Sequence, residues 1–271
     1  MKRTIAVLAL LGIWGVPPVP AGEPFGLPLR GPDAETFLRT AALVSKQGLG
    51  RGVTRSEQYT LSDGSRTCRA VWKTIDEFKP GLSQLEGGAV FVDFSDSYKN
   101  EIAAYELDKL LGLDLVPPTV ERTFGGTTGS LQMWVEGAMT EADRKERKLD
   151  PGDVPAWNEQ MYKMRLLRQL TYDTDARNIN NVLVDPSFHV YAIDFSRSFM
   201  VDGDLPSGKD LLRFPRAALD ALKALDRPTL DARLGRWLRG PQIAGLLKRR
   251  DKVLALAARR VQEQGEGAIL Y

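Results

Sequence analysis

The chain of 271 residues contains a single cysteine, Cys68, and a single histidine, His189. One cysteine cannot form an internal disulfide, and it excludes the C-x-x-C pairs of zinc ribbons and dithiol redox sites. Any Ser-His-Asp or Cys-His mechanism would have to use His189, which stands beside a turn signal and alternates with Tyr191 and Ile193 rather than with Asp194. It reads as a structural or exposed strand residue. The patterns G-x-x-x-x-G-K-S/T, H-E-x-x-H and G-x-S-x-G are missing as well, which sets aside P-loop enzymes, common zinc sites and α/β-hydrolases. Charge imbalance is missing too: 37 basic and 35 acidic residues leave a net charge of +2, no basis for binding nucleic acid or an anionic membrane. Lys248-Arg249-Arg250 reads as a solvated helix face. The one long apolar run, 5–16, follows Lys2 and Arg3 and precedes Val19-Pro20-Ala21. It is too short to span a bilayer, so 1–21 reads as a secretory signal peptide, with no membrane span after its cleavage. Export to a periplasm or the medium is the expected localisation.

What is present concentrates between Tyr172 and Phe199, YDTDARNINNVLVDPSFHVYAIDFSRSF. The apolar runs 182–184 and 190–193 are β-prone and flank Asp185-Pro186-Ser187, so they read as a hairpin of two short strands. Asp175 and Asn180 precede the first strand and Asp194 follows the second, which brings the three to one end of the hairpin. Metal-assisted phosphoryl transfer uses such groups. One carboxylate orients the attacking hydroxyl, while an amide oxygen and a second carboxylate hold a hard cation against the phosphates.

The order matches a known pattern. Asp175 is followed five residues later by Asn180, and Asp194-Phe195-Ser196 follows the second strand. This D-x-x-N-x-N, hairpin, I-D-F sequence resembles the catalytic and metal loops of the protein-kinase-like superfamily, in particular phosphatidylinositol kinases, HipA-type kinases and secreted Fam20-like atypical kinases. The histidine and arginine that usually precede the catalytic aspartate are absent, and serine replaces the glycine after Phe195. The resemblance implies Asp175 as base and Asn180 and Asp194 as ligands of Mg2+ or Mn2+. Asn181, which abuts the strand, is the alternative to Asn180.

Upstream, apolar spacing predicts a helix over 33–47, followed by Gly48-Leu-Gly-Arg-Gly52 as a flexible joint without the pattern of a phosphate loop. Strands are expected at 53–61 and 67–73 around Ser62-Asp63-Gly64-Ser65. Period two puts Val71 and Lys73 on one face. The resemblance implies Val71 against adenine, Lys73 on the phosphates and the Gly64 amide above them. A polar segment holding Pro80, Gly81, Gly87 and Gly88 leads to a strand at 89–94 and a helix over 97–111 closed by Gly112. Its phrase N-E-I-A-A-Y-E-L-D-K-L-L-G-L-D-L-V-P-P resembles the corresponding helix of bacterial atypical kinases, which implies Glu101, with Glu106 in reserve, as the partner of Lys73. A hairpin of 116–124 and 130–135 ends in Met133-Trp134-Val135-Glu136-Gly137, where the resemblance implies an inter-lobe hinge offering Met133 and Val135 to adenine. Beyond it come a charged helix over 139–149, a buried helix over 157–170 and, after Phe199, helices over 215–225, 229–238 and 241–264.

The expectation is an α+β, two-lobed protein-kinase-like fold: a small β-rich N-lobe with one key helix and a mostly helical C-lobe. It divides as 1–21 leader, 22–52 helix and linker, 53–137 N-lobe and 138–271 C-lobe. The function expected from the resemblance is an exported, metal-dependent kinase using ATP on an unidentified protein or small-molecule hydroxyl. The alternative keeps the fold as a secreted pseudokinase, a nucleotide- or protein-binding module.

Overall fold

The computed structural model describes residues 25–49, 56–84 and 88–271. The leader expected over 1–21, residues 50–52 of the joint and the strand start at 53 lie outside the described residues. Helix α1, Gly31–Thr40, has a proline in its first turn and buries Ala34, Phe37 and Leu38. It does not run on to Gln47 as the spacing predicted. Ala41 is extended, and Ala42–Gly48 leaves as strand β1, which pairs with β2, Glu57–Ser62, from Ala42↔Ser62 to Gly48↔Glu57. The local apolar period is ambiguous between helix and strand, and the ladder offered by β2 decides it.

β3, Thr67–Lys73, completes the expected hairpin, whose turn closes where Asp63 Oδ1 accepts from the amides of Ser65 and Arg66. The polar segment that follows is no loop. Asp76–Gln84 forms β4, paired with β5, Val90–Ser97, in a separate two-stranded ribbon whose register shifts between Lys79 and Leu82. Pro80 and Gly81 sit in that irregularity, where a missing N–H costs no ladder bond. Most of β4 is exposed, so it carries no alternation to read.

Helix α2, Tyr98–Leu111, starts where Ser97 Oγ accepts from the Lys99 amide and ends at left-handed Gly112. β6, Thr119–Phe124, and β7, Thr127–Met133, return to the main sheet, whose order is β1-β2-β3-β7-β6. β1 thus supplies a strand of this sheet, whereas β5, in the place of the strand expected at 89–94, lies outside it. α1 covers one face of this sheet, where Phe37 and Leu38 share a core with Tyr59, Leu61, Trp72 and Leu131.

The second lobe opens with β8, Met139–Thr140, and α3, Glu141–Glu146, shorter than the expected 139–149 helix. α4, Val154–Thr171, leads into β9, Val182–Val184, and β10, Val190–Ala192; the small sheet is ordered β10-β9-β8. Helices α5, Arg216–Ala224, α6, Arg227–Leu234, α7, Gly240–Gln264, and α8, Glu266–Ile269, follow. Their apolar faces pack with α4, Phe195 and Phe199 in one core that also takes Ala103, Leu107 and Leu111 of α2. α2 thus joins the lobes. Among the described residues no helix is long and apolar enough to cross a membrane.

The basic run on α7 is not the solvated face it resembled. Arg249 is 0% exposed and donates to the carbonyls of Leu170 at 2.8 Å, Met200 at 2.9 Å and Asp202. Unmet helix-end and loop carbonyls draw the cation inward.

The last turn of α2 carries a second buried ionisable group. Asp108 accepts from the Leu115 amide at 3.2 Å, and burial pushes its carboxyl up to about 7. A carboxyl raised on folding stabilises fully below its unfolded value and loses that contribution as pH rises through the folded one. Stability is therefore expected to fall by roughly 2–4 kcal/mol between pH 4 and pH 7.5 from this group. Asp108→Asn should flatten that slope in urea titrations; an unchanged slope would reject the assignment.

Candidate active site

Period two on β3 turns Val71 and Lys73 into the cleft between the lobes. Lys73 Nζ lies 2.5 Å from Glu101 Oε1 and 2.7 Å from Asp194 Oδ1. Burial works against the ammonium, but the two carboxylates outweigh it and hold Lys73 above its ordinary value. Burial also works to raise Asp194, yet Lys73 prevails and holds that carboxyl below the usual range. Glu101 is 1% exposed, and burial pushes it up against the pull of Lys73. Its second oxygen accepts the Phe195 amide at 3.0 Å. Glu106 points elsewhere, to Arg233 and Lys109.

Asp194 follows β10 at φ +65°, a left-handed backbone unusual for aspartate. Neighbouring groups hold it there. The Ser97 amide and Asn100 Nδ2 both donate to the Ser196 carbonyl, at 2.9 and 2.6 Å, and Asn100 also reaches the Ser198 carbonyl. Buried Asp96 takes Arg197 Nε at 2.7 Å. The first turn of α2 thus fixes the Asp-Phe-Ser segment.

In the loop after α4, Asp175 is exposed, and its Oδ2 accepts from Asn178 Nδ2 at 2.8 Å and Asn181 Nδ2 at 3.0 Å. Asn181, not Asn180, lines the cleft with Asp194. Asn180 is exposed and bonds Asn178. The spacing argument for Asn180 fails because a short 3-10 turn, Ile179–Asn181, lengthens the path by one residue. Arg168 is the group the sequence reading missed. It is 2% exposed, bonds Asp173 Oδ2 at 2.5 Å and the Asn181 carbonyl at 3.1 Å, and so ties α4 to the loop. Burial, opposed by Arg168, pushes Asp173 up to about 6. An arginine within the apolar stretch 164–170 was the available signal.

The cleft encloses about 330 Å3, within the range of small-ligand sites. Val71, Met133, Trp134, Val135, Leu183 and Ile193 give it apolar walls; Lys73, Asn181 and Asp194 lie at the polar end. Among the described residues the Val135 backbone N–H and C=O have no hydrogen-bond partner, which leaves a donor and an acceptor for the edge of a flat heterocycle. Trp134 is held by its amide bond to the Arg69 carbonyl and by the Arg69 guanidinium over its ring. Leu49 and Ser56 line the opening. Gly64 does not. Its turn joins Ser62↔Thr67, the end of the hairpin away from Trp72 and Lys73, so it cannot reach the same place.

The donors fit a hard cation. Asp194 keeps one oxygen beyond its bond to Lys73, and Asn181 keeps its carbonyl oxygen because its amide nitrogen is spent on Asp175. Among the described residues no three His, Cys, Asp or Glu side chains stand together to cage an ion. An ion here would share its coordination with phosphates, as magnesium does.

No protein-family model and no curated protein matches the chain. Solved structures do. A hydra Fam20 determined with sugar is 14% identical, with a TM-score of 0.62 over 87% of this chain and 90% of its own. The Golgi casein kinase is 15% identical, with a TM-score of 0.61 over 88% of this chain and 76% of its own. Its structure with Mn/ADP bound gives 15% identity and a TM-score of 0.60 over 88% and 78%. This chain has the two-lobed α+β fold of the atypical, Fam20-like kinases.

Proposed function

We propose that this protein is an exported, metal-dependent kinase that transfers the terminal phosphoryl group of ATP to a hydroxyl. The observation that carries the reading is Lys73 held between Glu101 and Asp194, at 2.5 and 2.7 Å, in a cleft that Asn181 and Asp175 continue. The fold likeness supports it, and one of the similar kinases holds manganese and ADP in its structure. Export rests on the leader composition of 1–21.

In this reading Val71 and the Val135 backbone seat the adenine, and Lys73 donates to phosphate oxygens. Asn181 and Asp194 would hold Mg2+ or Mn2+, which supplies charge neutralisation at the phosphates. Asp175 orients the acceptor hydroxyl and receives its proton, while Asn178 and Asn181 fix that carboxylate through Oδ2.

The test is transfer of labelled terminal phosphate from ATP by the protein from Gly22 onward, with magnesium and then manganese, alone and with extract of its cell envelope. Label in an acceptor or in the protein is the expected result. Nucleotide binding without transfer would instead make it a pseudokinase.

A further inference from the structure

Asp175 lines a cavity of about 350 Å3 and, through its bond to Asn181, adjoins the nucleotide cleft that Asn181 lines. That cavity runs from Asp175 to Ser207 and Asp210 and is bounded by α4. Its ionisable side chains are Arg165, Arg168, Arg177, Asp173, Asp175 and Asp210. Arg168 and Asp173 neutralise each other at 2.5 Å. Arg165 rests on the Tyr162 ring, and neither it nor Arg177 has a hydrogen bond or ion pair among the described residues. Asp210 likewise has no ion-pair partner.

Unpaired carboxylates accept from hydroxyl groups, and unpaired guanidinium groups donate to a carboxylate or phosphate, often by two parallel bonds. Resting on the kinase reading above, we infer that the acceptor is a small polyhydroxylated anion, of the size of a sugar acid or sugar phosphate. Arg165 and Arg177 hold its anionic end, while Asp210 and Asp175 take its hydroxyls. A discrete cavity of this volume suits a small ligand, whereas an extended peptide uses a groove or a sheet edge. One acceptor oxygen attacks the terminal phosphorus of ATP. The new P–O bond forms as the bond to the β-phosphate oxygen breaks. ADP leaves with that electron pair, and the hydroxyl proton passes to Asp175 and then to water.

The experiment measures calorimetric binding of glucose 6-phosphate, gluconate, neutral glucose and a serine peptide to wild type, Arg165→Gln and Arg177→Gln. Phosphate transfer to each compound is followed in parallel. One or both anions should bind wild type, and glucose much more weakly. Each substitution should weaken the anion about tenfold, the loss of one charge-assisted bond, with nucleotide affinity unmoved. The two anions separate phosphate from carboxylate recognition. Equal binding of glucose and the anions, indifference to both substitutions, or transfer to the peptide alone would overturn the inference. Anion binding without any transfer would retain the site and reject the kinase reading.

Discussion

Asp194→Ala is expected to lower phosphoryl transfer about a thousandfold or more while leaving the protein folded. The magnitude follows from losing several kcal/mol of charge stabilisation at the phosphates, at about 1.4 kcal/mol per factor of ten. The fold should survive because Lys73 keeps Glu101 at 2.5 Å, so no buried charge is orphaned. Asp175→Ala removes a proton acceptor instead and should cost about 10²–10⁴ in kcat with little change in nucleotide affinity. The two variants therefore separate in metal dependence: raising manganese should partly restore a weakened metal site but not a missing base. Single-turnover kinetics with labelled ATP provides the measurement. Transfer unaffected by either substitution would overturn the assigned roles.

Lys73→Met should behave in the opposite way and destabilise the fold. Glu101, 1% exposed, would keep only the Phe195 amide at 3.0 Å. Removing one partner of a buried ion pair costs about 3–5 kcal/mol. The carboxyl, already raised by burial, would rise further, so the loss should be full at neutral pH and shrink as pH falls and Glu101 takes up a proton. Adding Glu101→Gln should recover much of the stability without recovering transfer. Urea unfolding at pH 5 and pH 7.5 distinguishes these outcomes. A single variant as stable as wild type at both pH values would mean the pair carries no net stabilisation.

The groups legible in the sequence were those whose spacing is fixed by short local structure. Val71 and Lys73 share a face because strands repeat every two residues, and Glu101 sits one turn into a helix whose start and stop are both marked. Asp175 and Asp194 flank a hairpin with a clear turn. What failed depended on partners distant in the chain. β1 is a strand only because β2 pairs with it, and the bulged β4 lacks alternation because it lies in an exposed ribbon. The resemblance implies the Gly64 amide over the phosphates, but strand register puts that turn at the end of the hairpin away from Lys73. Asn180 lost to Asn181 through one 3-10 turn. Arg249 answers to backbone carbonyls, which carry no sequence signal, and Arg168, marked only by its place among apolar neighbours, answers to Asp173 and the Asn181 carbonyl.

Arg249 also bears on how such a protein is governed. The stretch after Asp194 is bound to α7 through the Met200 and Asp202 carbonyls, with the Val201 carbonyl so close that a Cβ on Gly245 would come within 2.7 Å of it. Lifting that stretch would strip a 0% exposed guanidinium of two of its three carbonyls, on the order of 5 kcal/mol for the charged bonds lost. A phosphorylation or effector that frees the loop is thus a costly means of control. The segment is set in place once the protein folds, and on the kinase reading proposed above command over it would pass to geography: the compartment in which nucleotide and acceptor meet.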